Sequence, residues 1–379
     1  MSIAAEDAQA RDVLVERLFG AALAAFDLMG VYLGDRLGLY RAMAGAGPLT
    51  AAELATRADV SERYAREWLE QQAMGSIVGV VDADAPDERR RYVLPEGHVE
   101  ALTDEASLAF IAPVAQMVMA CARPLPEVVD AYRLGDGLPF ADYGEDLIDS
   151  QARFTAPMFD RLLAGEWLGA IPGVRERLES DPPARVADIA CGEGRSSLAI
   201  ARGYPNVTVD GLDLDEASIA KADASLAGSG LEDRVRFHCR DAADPALAGS
   251  YDLVFIFEAL HDMSHPVDVL RAARGLLADG GCVVIGDERV AEAFSLDAGD
   301  VERFFYGCSI AHCLPVGMCG HDPAGTGTVM RAGTVQDYAS GAGFAGFEVL
   351  PIENDFYRFY RLTVAVGGAG RAGRPTPRP

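Results

Sequence analysis

The chain sets its chemistry-bearing residues at the ends of short apolar runs. Residues 186–194 read Val-Ala-Asp-Ile-Ala-Cys-Gly-Glu-Gly, and residues 207–215 read Val-Thr-Val-Asp-Gly-Leu-Asp-Leu-Asp. The first run stops at a Gly-x-Gly turn, and a helical pattern follows from about Arg195. The second ends on acidic side chains. Asp213 lies 21 residues after Gly192. At that spacing a doubly wound α/β fold puts a carboxylate on the ribose hydroxyls of a bound nucleoside. Glycine allows close approach of the loop because no Cβ stands in the way. Two ligand chemistries remain open. A dinucleotide site wants a third glycine where this chain has Ser197, and phosphates on the helix N-terminus. A sulfonium nucleoside carries no phosphate and needs only a looser loop.

A second set of groups follows further on. Residues 251–263 read Tyr-Asp-Leu-Val-Phe-Ile-Phe-Glu-Ala-Leu-His-Asp-Met. Ligands of open α/β sheets bind outside the carboxyl ends of the strands, so Glu258, His261 and Asp262 should face the bound molecule. A phenol with a pKa of about 10 is mostly protonated at neutral pH. An imidazole that takes its proton as attack begins contributes about 10²–10⁴-fold. Glu288 lies 27 residues past His261, in Gly-Asp-Glu. Phe304, Phe305 and Tyr306, with Phe154 and Met158, could line an apolar acceptor pocket, although core packing accounts for each ring as well. Cys308, Cys313, Cys319, His312 and His321 lack the paired spacing of structural zinc. Pro266 breaks any helix that would pair His261 with His265. No metal is expected.

At these residues the chain resembles the class I S-adenosylmethionine (SAM)-dependent methyltransferases. Its Leu-His-Asp triplet is similar to that of small-molecule O-methyltransferases with an N-terminal winged-helix dimerisation domain. The resemblance covers most of residues 10–366. It is nearest to a bacterial branch through His-Cys-Leu-Pro-Val-Gly-Met (312–318), Gly-Thr-Gly-Thr-Val-Met-Arg (325–331) and Ala-Gly-Phe (342–344). It implies SAM as cofactor, held by Asp188, Cys191, Gly192, Gly194, Asp213, Leu214, Glu258 and the Arg240-Asp241-Ala242 station, where Asp241 would accept from the adenine amine. It also implies His261 as general base and Glu288 as the acid that orients it. The family's second orienting acid has no clear counterpart; Asp322 is the nearest. The acceptor implied is a small molecule, most simply a hydroxyl of an aromatic or polyketide-like metabolite. Methylation of nitrogen or carbon by proximity alone, or a non-catalytic SAM-binding regulator, are the alternatives.

The elements that must position these groups fall into three stretches. Residues 1–100 read as a helical, winged-helix dimerisation domain. Thr50 and Glu53 form a capping box, a second helix from Ser61 carries Tyr64, Trp68 and Leu69 on one face, and Ile77–Val81 with Tyr92–Leu94 form the wing. Residues 101–180 read as a helical linker and substrate lid. Residues 181–366 read as a Rossmann-like, seven-stranded α/β domain: strands near 185–190, 206–212, 233–238, 251–257, 282–287, 347–352 and 360–366 alternate with helices until the 290–333 stretch interrupts them. The tail 367–379 reads as disordered.

Composition narrows the partners. The net charge is −25 over 379 residues, which repels nucleic acid and anionic membranes. Residues 51–100 hold 11 acids and 6 arginines, a net of −5, so the winged helix is not expected to bind DNA. The apolar stretch Ala21–Gly34 contains Asp27, is too short to span a bilayer, and reads as a buried helix. Seven dispersed cysteines and no apolar leader suggest a reduced, cytoplasmic protein without disulfides. A homodimer is expected from the N-terminal helices and the resemblance.

Overall fold

The computed structural model describes residues 3–242, 247 and 251–365. The tail expected to be disordered lies outside them. The chain divides into two compact units: residues up to 125 together with 141–158, and residues 126–140 together with 159 onward. The stretch 101–180 is thus shared between the units.

In the first unit a long helix, Ile3–Arg36, ends at Gly38, whose φ of 67° starts the short helix Leu39–Met43. The winged-helix order follows: helices Ala51–Ala58 and Glu62–Met74, then the wing strands β1 (Gly79–Val80) and β2 (Tyr92–Val93), paired antiparallel. The capping box is formed, with the Glu53 N–H donating to Thr50 Oγ1 and the Thr50 N–H donating to Glu53 Oε2. Leu39, Tyr40, Leu54, Trp68, Leu69 and Tyr92 make the core. Two expectations need correction here. Tyr64 is exposed, while Trp68 and Leu69 one turn on are buried, because the buried stripe of this short helix is narrow. The Ala21–Gly34 segment is not buried either: Phe26 is 63% and Leu23 52% exposed. Only its end packs inward: Gly30 and Gly34 are buried, Val31 lies against the core and the Trp68 indole donates to the Gly30 carbonyl.

In the second unit one seven-stranded sheet runs in the order β5-β4-β3-β6-β7-β9-β8. Its strands are β3 (Arg185–Ile189), β4 (Thr208–Asp213), β5 (Val235–Cys239), β6 (Tyr251–Phe257), β7 (Leu277–Glu288), β8 (Gly346–Val349) and β9 (Tyr357–Thr363). Neighbours pair in parallel except β9, which is antiparallel to both β7 and β8. Central β6 is apolar from Leu253 to Phe257, with Val254, Phe255 and Ile256 fully buried, as a parallel strand covered on both faces requires. The α/β class with an N-terminal winged-helix unit is the expected one. Strand order reverses between β3 and β6, which makes their carboxyl ends the switch point where such sheets hold ligands. Within the 290–333 stretch lie the helix Gly299–Cys308, a widened turn Ser309–Cys313 and the short helix Leu314–Gly317. Among the described residues no helix is long and apolar enough to cross a membrane. All seven cysteines are free thiols.

Candidate active site

The loop after β3 is built around glycines that an L-residue would replace only with strain. Gly192 (φ 53°) and Gly194 (φ 75°) are left-handed, and a Cβ on Gly194 would run into the Phe237 ring. A Cβ on Gly192 would meet nothing within 4 Å, so the loop backbone borders open space there. Asp213 fixes this loop. Its carboxylate accepts from the Gly192 N–H at 2.9 Å and from the Asp215 N–H at 2.8 Å. Each oxygen keeps a lone pair for a further donor such as a ribose hydroxyl. Leu214 beside it is 73% exposed. Asp188, at the end of β3, accepts from the hydroxyls of Ser196 and Ser197, both at 2.6 Å. It anchors the start of the helix Arg195–Gly203, and Ser197, standing where a third glycine would belong, provides one of the donors. Burial pushes Asp188 up to about 6 against those hydrogen bonds. Cys191 is buried. Ala242 is buried and Asp241 exposed, on the segment just past β5.

Two non-glycine residues at the switch point are also left-handed: Ala190 after β3 (φ 57°) and Glu258 after β6 (φ 51°). Each costs on the order of 1–3 kcal/mol, and such strain gathers at functional sites. The turn at Glu258 leads into Leu260–Asp262, which carries His261.

His261 is 2% exposed. Its Nδ1 lies 2.7 Å from Asp287 Oδ1 and 2.9 Å from Glu288 Oε2. The register explains the meeting. Phe257 of β6 pairs with Gly286 of β7, so the next residues of both strands emerge side by side. Glu288, chosen from sequence, is therefore present, but Asp287 makes the shorter contact. Asp287 was not among the residues singled out in the sequence. Asp322 is corrected: it lies exposed on a turn (φ 54°). The Cys313 thiol reaches the same imidazole, and the His312 Nδ1 lies 3.3 Å from that thiol. Asp287 and Cys313 were missed as site residues. The doubled acid in Gly-Asp-Glu was the available signal for the first; nothing local marked the second.

Electrostatics here are unbalanced. Burial works against a charged His261, but Glu288 and Asp287 outweigh it and lift the imidazole well above its usual value. Glu288 itself is pushed well above the carboxylate range by burial and by Asp287. Asp287 is held low despite burial by the His261 charge and by hydrogen bonds from Glu288 and His261. Burial raises Asp262 to about 6 and Glu258 to about 7, with His261 partly opposing both. The Tyr357 hydroxyl donates to Glu258. Burial and the His261 charge drop His312 to about 3. The donor atoms of His261, Asp287 and Glu288 lie within 4.8 Å of one another, close enough to converge on a small cation. Two ligands of one tetrahedral zinc with bonds of about 2.0–2.1 Å would stand about 3.3 Å apart. The 2.7 Å contact is instead that of a charge-assisted hydrogen bond holding a proton.

The expected pocket residues fall in different units. Phe154 and Met158, both half-buried, belong to the first. Phe304, Phe305 and Tyr306 belong to the second, where Phe305 is buried and Phe304 is 38% exposed. Tyr306 accepts from Arg331 at 3.1 Å.

Residues 187–283 match a methyltransferase domain, and residues 24–104 match an Rv2258c-like winged HTH domain. The chain is 33% identical over 120 residues to the 27-O-demethylrifamycin SV methyltransferase of Amycolatopsis mediterranei, covering 31% of this chain and 44% of that enzyme. The match therefore spans less than half the length of that relative. Among solved structures, the mitomycin 7-O-methyltransferase MmcR superposes with a TM-score of 0.69 at 17% identity, over 94% of this chain and all of that one. Human N-acetylserotonin methyltransferase in complex with SAM gives 0.67 at 16%, over 92% and 97%. At these identities the structural likeness is one of fold.

Proposed function

For a chain that joins a methyltransferase domain to an Rv2258c-like winged-helix domain, we propose transfer of a methyl group from SAM to a hydroxyl of a small aromatic or polyketide-like molecule. One observation carries this reading: an imidazole gripped by two buried carboxylates at the switch point, beside a glycine loop fixed by a strand-end aspartate. The donor set suits the cofactor. Carboxylates at the ends of β3, β4, β6 and β7 favour a cation and disfavour the pyrophosphate of a dinucleotide. Gly192, Gly194 and Asp213 would hold the nucleoside, Leu214, Asp241 and Ala242 the adenine side, and Asp188, Cys191 and Glu258 the remainder. When bound, SAM supplies an electrophilic methyl on sulfonium.

The chain's own residues do the rest. Asp287 and Glu288 fix the His261 ring and its Nδ1 proton, leaving Nε2 as the nitrogen that takes the acceptor's proton. The paired acids also raise the basicity of that nitrogen. Phe304, Phe305 and Tyr306, and separately Phe154 and Met158, are the acceptor-contacting candidates.

Charge argues against a DNA-binding regulator. On the helix Glu62–Met74, Arg66 pairs with Glu62 and Arg63 with Glu67, while Glu70 pairs with Arg90. A homodimer is supported by the open apolar face of the helix Ile3–Arg36, where Phe19 is 65% exposed, since apolar patches of this kind mark protein contacts. The net charge favours neither nucleic acid nor anionic membranes, and a cytoplasmic setting fits the free thiols.

The test is incubation with methyl-labelled SAM and a metabolite extract, followed by mass spectrometry. A labelled small molecule names the acceptor. Stabilisation by S-adenosylhomocysteine (SAH) with label found on no small molecule from any extract would leave a cofactor binder, and sink the enzyme reading.

A further inference from the structure

Six carboxylates line the carboxyl edge of the sheet: Asp188 on β3, Asp213 on β4, Glu258 and Asp262 after β6, and Asp287 and Glu288 on β7. They form a connected series. Asp188 feels Asp213, Asp262 feels Asp213 and Asp287, and Glu258 feels Asp262 and Asp287. His261 is the cation among these neighbours; the Tyr357 hydroxyl, the Cys313 and Cys191 thiols, Asp215 and the His312 ring also face the series or its imidazole. Asp287 is 1% exposed, yet its Oδ2 has no hydrogen-bond partner. Glu288 Oε2 likewise has no hydrogen-bond partner, though it lies 2.9 Å from the His261 Nδ1, so among the described residues two buried acids share one imidazole, and a second positive charge would be favoured beside them.

We propose that this cluster senses the charge of the methyl donor: it loses a proton when the sulfonium binds and regains one when methyl transfer leaves a neutral thioether. The inference rests on the SAM reading above. Its charge bookkeeping closes. The acceptor oxygen forms its bond to the methyl carbon, the C–S electron pair returns to sulfur, and the O–H proton passes to His261. One positive charge disappears from sulfur and one arrives in the cluster, so the net charge of the site is conserved through the step. SAM loading also frees His261 to act, because a second cation nearby disfavours the imidazolium that the two acids stabilise.

The protonation pattern supports this and fixes the window. Asp188 and Asp262 sit near 6 and Glu258 near 7, so the free protein holds protons there around pH 6–7. A bound cation lowers these values and expels a proton, so affinity for SAM rises with pH through that range and levels above it. A fall of about one unit in one group corresponds to about tenfold in affinity.

Isothermal titration calorimetry at pH 6.5, in two buffers of different ionisation enthalpy, counts the protons. At this pH the α-ammonium, with a pKa of about 7.7–8.0, is charged in both SAM and SAH, so their difference isolates the sulfonium. We expect SAM, and an analogue with an ammonium in place of the sulfonium, to release about half a proton or more per site, and SAH clearly less. The SAM-to-SAH affinity ratio should rise about tenfold between pH 5.5 and 7. Asp262→Asn and Glu258→Gln should each reduce the release, with thermal unfolding confirming that both variants fold. Equal proton release by SAM and SAH, or a ratio flat with pH, overturns the charge-sensing inference while leaving the cofactor reading intact. No binding of SAM or SAH at any of these pH values overturns the cofactor reading, and the inference with it.

Discussion

Both units bury acidic side chains, but they compensate them differently. In the first unit Asp35 is 3% exposed. Arg153 meets it with two bonds, Nη1 to Oδ2 at 2.7 Å and Nη2 to Oδ1 at 3.0 Å, and Arg153 also donates to Gln116. Arg41 adds a second guanidinium at 3.4 Å. There a planar cation satisfies the carboxylate face to face, a closed arrangement that joins the end of the long helix to the helix Glu145–Met158. In the second unit Asp287 and Glu288 share one imidazole nitrogen, and Asp287 Oδ2 has no partner. Geometry that closes its own charge holds a fold together. Geometry that leaves charge over has room for a ligand or a proton.

Breaking the open site should have the largest effect on activity. His261→Ala should lower kcat by about 10²–10⁴-fold, with SAM affinity by calorimetry little changed. Undiminished turnover would mean that positioning alone drives the reaction, or that nitrogen is the atom methylated. The closed pair should matter for stability instead. Arg153→Leu leaves buried Asp35 with only the longer Arg41 contact, so urea unfolding should show a loss of up to about 3–5 kcal/mol. Removing both charges in Asp35→Leu with Arg153→Met should recover much of that loss, as expected where the single variant's cost is the stranded charge. If the double variant is no better than the single, the pair itself is the stabilising element.

A finer comparison separates the two acids on His261. Asp287→Asn removes the nearer negative charge that keeps the imidazole protonated. The His261 value should fall, so the acidic limb of the kcat–pH profile should move to lower pH, by about one unit or more. Glu288→Gln should move it in the same direction, since Glu288 also lifts the imidazole. A limb that stays in place in Asp287→Asn would show that His261 is not the titrating base. The smallest effect on the site is expected from Phe19→Glu with Phe26→Glu. Light scattering should report half the wild-type mass, with SAM affinity retained. A mass unchanged from the wild type would remove the helix face as the dimer contact.

Much of the site was legible in the chain because it is local. The spacing from Gly192 to Asp213 spans one loop, one helix and one strand, and the turn Gly-Glu-Gly declares its own backbone. The Thr50–Glu53 cap is likewise a four-residue signal, and it is formed as read. Helix exposure was less legible. An apolar stretch such as Ala21–Gly34 looks the same whether its face meets its own core or stands open, and here Phe26 and Leu23 stand open.

By itself the sequence determined the α/β alternation, the winged-helix order, the glycine loop and the presence of His261 at a strand end. Each follows from periodicity, capping or turn chemistry within a few tens of residues. Only the tertiary structure decided which acids hold that histidine. Residues 287 and 288 reach it because β7 lies beside β6 with Gly286 opposite Phe257, a pairing that a slip of one residue would undo. The charge imbalance at the site is tertiary for the same reason. Six carboxylates scattered over a hundred residues repel one another only once parallel strands bring their ends together in a place that excludes water.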